Sequence, residues 1–263
     1  MTKNPYPDFE RYDATYDGDT HPVFRAGNGP AVIVMHEVPG LYPAVAGFGR
    51  RLVAEGFTVY MPSLFGKPGK PYGMLYNVRS IARACVSSEF ATFATGKTSP
   101  IVNWLRALAK DAHAACGGPG VGAVGMCLTG GFALAMMIDD VMVAPVLSQP
   151  STPFGITGAQ RRDLGVDDAT LVRIRERAAA GTCVMGLRFT NDRMVPAARF
   201  ERLRAELGDK FIAVEIDSSP GNPHGIPRMA HSVLTRHFVD EPGHPTRDAL
   251  EQVVAFYRER LLA

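Results

Sequence analysis

The 263-residue chain lacks most of the features that assign a function from composition alone. Its four cysteines, Cys85, Cys116, Cys127 and Cys183, form no C-x-x-C pair and show no metal-ligand spacing. The cysteines thus give no sign of a zinc site or a dithiol redox centre, and with no secretion signal the four read as free thiols rather than a disulfide frame. The expectation is a protein that works without a metal or a cofactor. Neither sign of charge is in large surplus: 28 Lys and Arg stand against 26 Asp and Glu, a net charge of +2. The basic residues are scattered, so no nucleic-acid stripe and no membrane-surface face is implied. No stretch approaches the roughly 18 apolar residues of a membrane span, and the N-terminal residues have no apolar core of the leader type. A cytoplasmic protein is therefore expected. With 46% hydrophobic and 21% charged residues, the chain can bury the core of one large α/β domain spanning 1–263.

The apolar pattern sets the order of elements. Residues 31–35 form a continuous apolar run, the mark of a strand buried on both faces of a parallel sheet. Pro43 opens a helix with Val45, Phe48, Leu52 and Val53 on one face, Gly56 stops it, and residues 57–61 form the next strand. That order predicts a right-handed crossover and a parallel sheet. Further strands are expected at residues 141–146, 183–189 and 211–216, and helices from Pro100, over residues 168–180, after Pro196 and at the C-terminal end. Residues 1 to about 19 are polar and are expected to lie over the surface as an N-terminal extension. Residues from about 65 to 98, rich in Gly, Pro and Lys at first and then mixed helix, are a candidate pocket wall. There is no internal repeat or linker.

Residues 121–135 carry the strongest local signal. A Val-rich run meets Gly125-Met126-Cys127, then Gly130-Gly131, then a small-residue apolar run with helical character, which reads as a strand-to-helix corner with Cys127 at its tip. Thr129 stands where such elbows usually have glycine, so looser packing is expected there. Taken alone, the same pattern also describes a buried structural cysteine. Residues 120–125 are also a literal G-x-G-x-x-G, but they overlap the strand instead of opening a helix, so no dinucleotide site is expected.

Cys127, Asp192 and His231 follow one another in the chain order nucleophile, acid, histidine, each at the C-terminal end of a predicted strand, where open parallel sheets place their sites. Through Met35-His36-Glu37-Val38-Pro39-Gly40, Gly125-Met126-Cys127-Leu128, Asp192-Arg193-Met194-Val195-Pro196 and His231-Ser232, the sequence resembles the dienelactone hydrolase family. The resemblance runs from about residue 31 to the C-terminus. It implies an α/β-hydrolase fold, a mostly parallel sheet with helices on both faces, and a small-molecule ester or lactone as substrate. It implies that Cys127 attacks the carbonyl as thiolate, that His231 is the base and that Asp192 orients it. The backbone N–H groups of Val38 and Leu128 would bind the oxyanion. Glu37 would accept a hydrogen bond from the resting thiol and take its proton when substrate binds.

Alternatives stay open at this level. Asp192 reads equally as a turn residue, and His224 is a rival for the histidine, although the Ser that follows His231 fits the family pattern. The family carries an Arg four residues after its histidine. Here Thr235 stands there, with Arg236 one place on. Arg236, Arg79 and Arg83 are candidates for a substrate carboxylate, with solvated helix residues as the plainer reading of the last two. A non-catalytic binding protein on the same fold is the competing class of function.

Overall fold

The computed structural model describes residues 4–73, 99–152 and 157–262. Eight strands, β1 (Glu10–Tyr16), β2 (Asp19–Ala26), β3 (Ala31–Met35), β4 (Thr58–Pro62), β5 (Val121–Met126), β6 (Met142–Ser148), β7 (Val184–Phe189) and β8 (Phe211–Ile216), form one sheet. Their order is β1-β2-β4-β3-β5-β6-β7-β8. β1 and β2 are antiparallel to their neighbours, and the six strands from β4 to β8 run parallel. The fully buried runs of β3, β4, β5 and β7 explain their continuous apolar sequences, because helices cover both faces.

The helices are α1 (Pro43–Ala54), α2 (Pro100–Cys116), α3 (Gly130–Met136), α4 (Gly158–Arg162), α5 (Asp168–Ala179), α6 (Ala197–Leu207) and α7 (Pro245–Leu261). One apolar cluster gathers α2, α3, α5 and α6 against one side of the sheet. A second gathers α1 and α7 on the other side. The G-x-G-x-x-G lies within or against β5, and a Cβ on Gly122 would meet the Tyr257 ring of α7 at 2.9 Å. Its glycine thus serves close helix-on-sheet packing. Among the described residues, no helix is long and apolar enough to cross a membrane.

The N-terminal region differs from the sequence expectation. Residues Glu10–Tyr16 are an edge strand, not an overlying extension, and pair with β2 through a turn at Asp17-Gly18, both with positive φ. Asp-Gly is a strong signal for a two-residue hairpin. Ahead of it, Tyr6 and Phe9 are buried, and the Tyr6 hydroxyl donates to the Leu41 carbonyl at 2.7 Å. Arg79, Arg83 and Cys85 lie outside the described residues, as does most of the expected pocket wall.

His36 fastens the end of β3 to the end of β4. Its Nε2 accepts the Leu64 N–H at 3.0 Å, so the neutral ring carries its proton on Nδ1, which donates to the Glu37 carbonyl at 3.0 Å. Complete burial lowers its pKa from 6.5 to about 4. Between those values the unfolded chain holds a proton that the folded chain refuses, so stability falls as pH drops from about 6.5 to 4, by roughly 3 kcal/mol over that range. Urea unfolding of the wild type is expected to lose about 2 kcal/mol more than His36→Gln between pH 6.5 and 4.5. Parallel pH profiles would contradict this role.

Candidate active site

Cys127 follows β5 directly and has φ +58, a left-handed conformation unusual for a residue other than glycine. The corner is tight: a Cβ on Gly125 would lie 2.0 Å from the Thr129 carbonyl oxygen. Thr129 does not loosen it, contrary to the sequence expectation. Its side chain is fully buried, its Oγ1 accepts the Met126 N–H at 2.8 Å, and the Met126 and Met35 carbonyl oxygens lie 2.9 and 3.1 Å away as acceptors. The threonine ties the elbow to the ends of β5 and β3. The thiol is also more enclosed than an elbow tip suggests. Cys127 is 5% exposed and packs with Val38, Leu128 and Phe65, the last being the first residue of the expected pocket wall.

Asp192 and His231 come together. The carboxylate lies in the turn after β7 and is buried, its Oδ1 accepts the Met194 N–H at 2.9 Å, and its Oδ2 stands 2.6 Å from His231 Nδ1. The turn reading of Asp192 is thus satisfied together with the histidine contact. On the other side of the ring, Nε2 is buried and makes no hydrogen bond of ordinary geometry among the described residues. Burial works against the charged imidazole, but the neighbouring Cys127 sulfur and the Asp192 carboxylate outweigh it and raise the His231 pKa well above the ordinary value. His224 is elsewhere: it is exposed, with its ring against His244. His237 holds the His231 loop instead, its Nδ1 accepting the backbone N–H groups of His231 and Ser232 at 3.2 and 3.1 Å.

Glu37 is buried, but its hydrogen bonds are not those implied by the resemblance. The hydroxyls of Tyr42 and Thr235 donate to Oε1, while Ser232 Oγ at 2.6 Å and Gln149 Nε2 at 3.3 Å donate to Oε2. Among the described residues, Cys127 Sγ has Ser151 Oγ at 3.0 Å as a hydrogen-bond partner. Four neutral donors thus occupy the carboxylate, and they bind the β3, β6 and His231 loops to one another. Burial and the adjoining Glu37 charge push the Tyr42 phenol far above its ordinary pKa, so it stays a donor. Thr235 at the family's arginine position serves this network. Arg236 is at the exposed edge, its Nη1 donating to the Tyr72 hydroxyl at 2.8 Å and its guanidinium over that ring.

Sequence reasoning missed Ser151, Gln149 and Arg199. The first two lie just past β6, a strand end where open parallel sheets collect site residues, and that position was the available signal. Arg199 on α6 gave none. Its guanidinium is buried and donates to the carbonyls of Asp163, Pro150, Met194 and Gln160 and to Thr152 Oγ1. Burial lowers its pKa to about 10, so it remains charged at neutral pH.

Glu37→Gln replaces one acceptor oxygen with a donor, so at least one of the four groups facing it must turn away. A stability loss of about 1–3 kcal/mol is expected in urea denaturation. Unchanged stability would contradict the structural role of the carboxylate.

The profile of the dienelactone hydrolase family matches residues 20–260. Among solved structures, a candidate dienelactone hydrolase from Klebsiella pneumoniae superposes with TM-score 0.65 at 16% identity, covering 95% of this chain and 99% of the other. The dienelactone hydrolase of Anabaena variabilis gives 0.61 at 13% identity, covering 97% and 99%. A dienelactone hydrolase-like promiscuous phosphotriesterase from metagenomic libraries gives 0.61 at 16%, covering 96% and 98%. No curated protein matches the sequence. The structural likenesses establish the α/β-hydrolase fold, and the profile, which spans all but the ends of the sequence, establishes that the chain belongs to the dienelactone hydrolase family.

Proposed function

We propose that the protein hydrolyses carboxylic esters or lactones through a thioester on Cys127. The observation that carries this reading is the pairing of the strained Cys127 elbow with a His231–Asp192 contact of 2.6 Å that leaves the buried outer nitrogen of the ring without a hydrogen-bond partner of ordinary geometry among the described residues. In acylation the thiolate attacks the carbonyl carbon, and the N–H groups of Val38 and Leu128 receive the oxyanion. Leu128 is the second residue of a helical turn, where a backbone N–H has no acceptor within the helix. The tetrahedral adduct collapses by breaking the bond to the alcohol oxygen, which takes the proton from His231 Nε2. In deacylation His231 takes a proton from water as that water attacks the thioester, and the thiolate departs. Asp192 holds the Nδ1–H tautomer throughout.

Glu37 acts here as a positioning residue. Its bonds to Ser232 and Thr235 bracket the residues that follow His231, and its own main chain leads directly into Val38. Arg236 is the described candidate for a substrate carboxylate, with Arg79 and Arg83 as the other two, and a guanidinium suits that group through paired hydrogen bonds. A reducing compartment such as the cytoplasm keeps the nucleophile as a free thiol.

The test is a panel of lactones and aryl and enol esters with wild type, Cys127→Ala, His231→Ala and His224→Ala. The first two substitutions are expected to lower kcat/KM at least about 1,000-fold while His224→Ala changes it less than about threefold. Substrate should also protect Cys127 from a thiol reagent. A Cys127→Ala variant retaining substantial turnover would refute the nucleophile, and a wild type with no turnover and an unprotected Cys127 would favour a binding protein.

A further inference from the structure

Ser151 is 1% exposed and lies three residues past the end of β6. Its backbone N–H donates to the Cys127 carbonyl at 3.0 Å while its Oγ stands 3.0 Å from Cys127 Sγ, so main chain and side chain both engage the nucleophile. The residues on either side are fixed: Arg199 Nη1 donates to the Pro150 carbonyl at 2.9 Å, and Nη2 to Thr152 Oγ1 at 2.7 Å. A buried hydroxyl proton needs an acceptor, and among the described residues the sulfur is the one within reach. At 3.0 Å either atom can donate; with the hydroxyl as donor its proton is satisfied, and sulfur accepts best as thiolate.

We propose that Ser151 is a further catalytic residue: its hydroxyl donates a hydrogen bond to the Cys127 sulfur and holds it as the thiolate facing His231. The idea rests on the hydrolase reading for its consequence and on geometry for its premise. The sulfur has Ser151 Oγ at 3.0 Å, and it also acts on the His231 ring, whose buried Nε2 has no hydrogen-bond partner of ordinary geometry among the described residues. When the thioester forms, the sulfur lone pair enters the new S–C bond and the Ser151 hydrogen bond weakens. When the thioester breaks, that pair returns to sulfur and the bond is restored, favouring thiolate departure. The charged groups around the sulfur come from other elements: His231 after β8, Asp192 after β7, Arg199 on α6 and Glu37 after β3. Ser151→Ala replaces none of them.

The experiment is the rate of Cys127 alkylation by iodoacetamide from pH 5 to 10, read on the Cys127 peptide by mass spectrometry, for wild type, Ser151→Ala and the hydroxyl-retaining Ser151→Thr. Ser151→Ala deletes a single oxygen and is expected to fold, which thermal unfolding checks. Its profile should move to higher pH, with alkylation at pH 6 at least fivefold slower than wild type and an equal plateau at high pH, and Ser151→Thr should fall nearer wild type. Superimposed or faster profiles for Ser151→Ala would overturn the proposal. The thiol titration stands apart from turnover, so the two readings fail separately. An unshifted profile in an enzyme that hydrolyses esters removes Ser151 alone, whereas a shifted profile in a protein without turnover removes the hydrolase reading and leaves the thiolate contact.

Discussion

The site depends on one backbone constraint, the turn at Cys127 between β5 and the helix that follows. With φ at +58 and no room for a side chain at Gly125, the chain reverses within a few residues and points the sulfur across the ends of the parallel strands. β5 lies between β3 and β6 in the sheet, so the loops leaving those two strands must flank the cysteine. One brings Glu37 and Val38, the other Gln149 and Ser151. The strands farther out, β7 and β8, deliver Asp192 and His231 from one side. The arrangement of these side chains follows from the strand order once the corner exists.

Two buried charges then hold the loops in place. Glu37 is surrounded by three hydroxyls and an amide, and Arg199 by four carbonyls and a hydroxyl. Burying a charge is expensive unless its hydrogen bonds are met, and a group with many bonds to meet fixes many neighbours. Glu37 joins the loop after β3 to the His231 loop. Arg199 joins the Ser151 segment to the Met194 carbonyl beside Asp192. The Cys127 side and the His231 side are therefore kept in register by two polar clusters, while the apolar layers on the two faces of the sheet supply the platform.

The sequence made the platform legible because continuous apolar runs and helical spacing are local patterns. Residues 31–35 and 211–216 are strands as expected, and the helix after Pro196 begins at Ala197. The hairpin of β1 was missed because its outward-facing polar residues hid an Asp-Gly turn that the chain does display. The meeting of Asp192 with His231 was legible from chain order together with motif. The partners of Glu37 were not, since Tyr42 lies on the same loop as Glu37, Gln149 just past β6, and Ser232 and Thr235 on the distant His231 loop, and no sequence spacing links the three segments. Thr129 misled for a related reason: its hydroxyl compensates for its size by bonding to Met126 and to the end of β3, a contact that exists only in the folded chain.

The central claim is that Cys127 carries the acyl group. Its most direct test is to mix the enzyme with an activated aryl ester, quench in acid within milliseconds to seconds and measure the intact mass and the acylated peptide. The account predicts a single added acyl group on the peptide containing Cys127, removed by neutral hydroxylamine as a thioester is and accumulating when His231 is replaced by a residue that slows deacylation more than acylation. Turnover of the ester with no adduct on Cys127 in any variant, or an adduct on another residue, would contradict it.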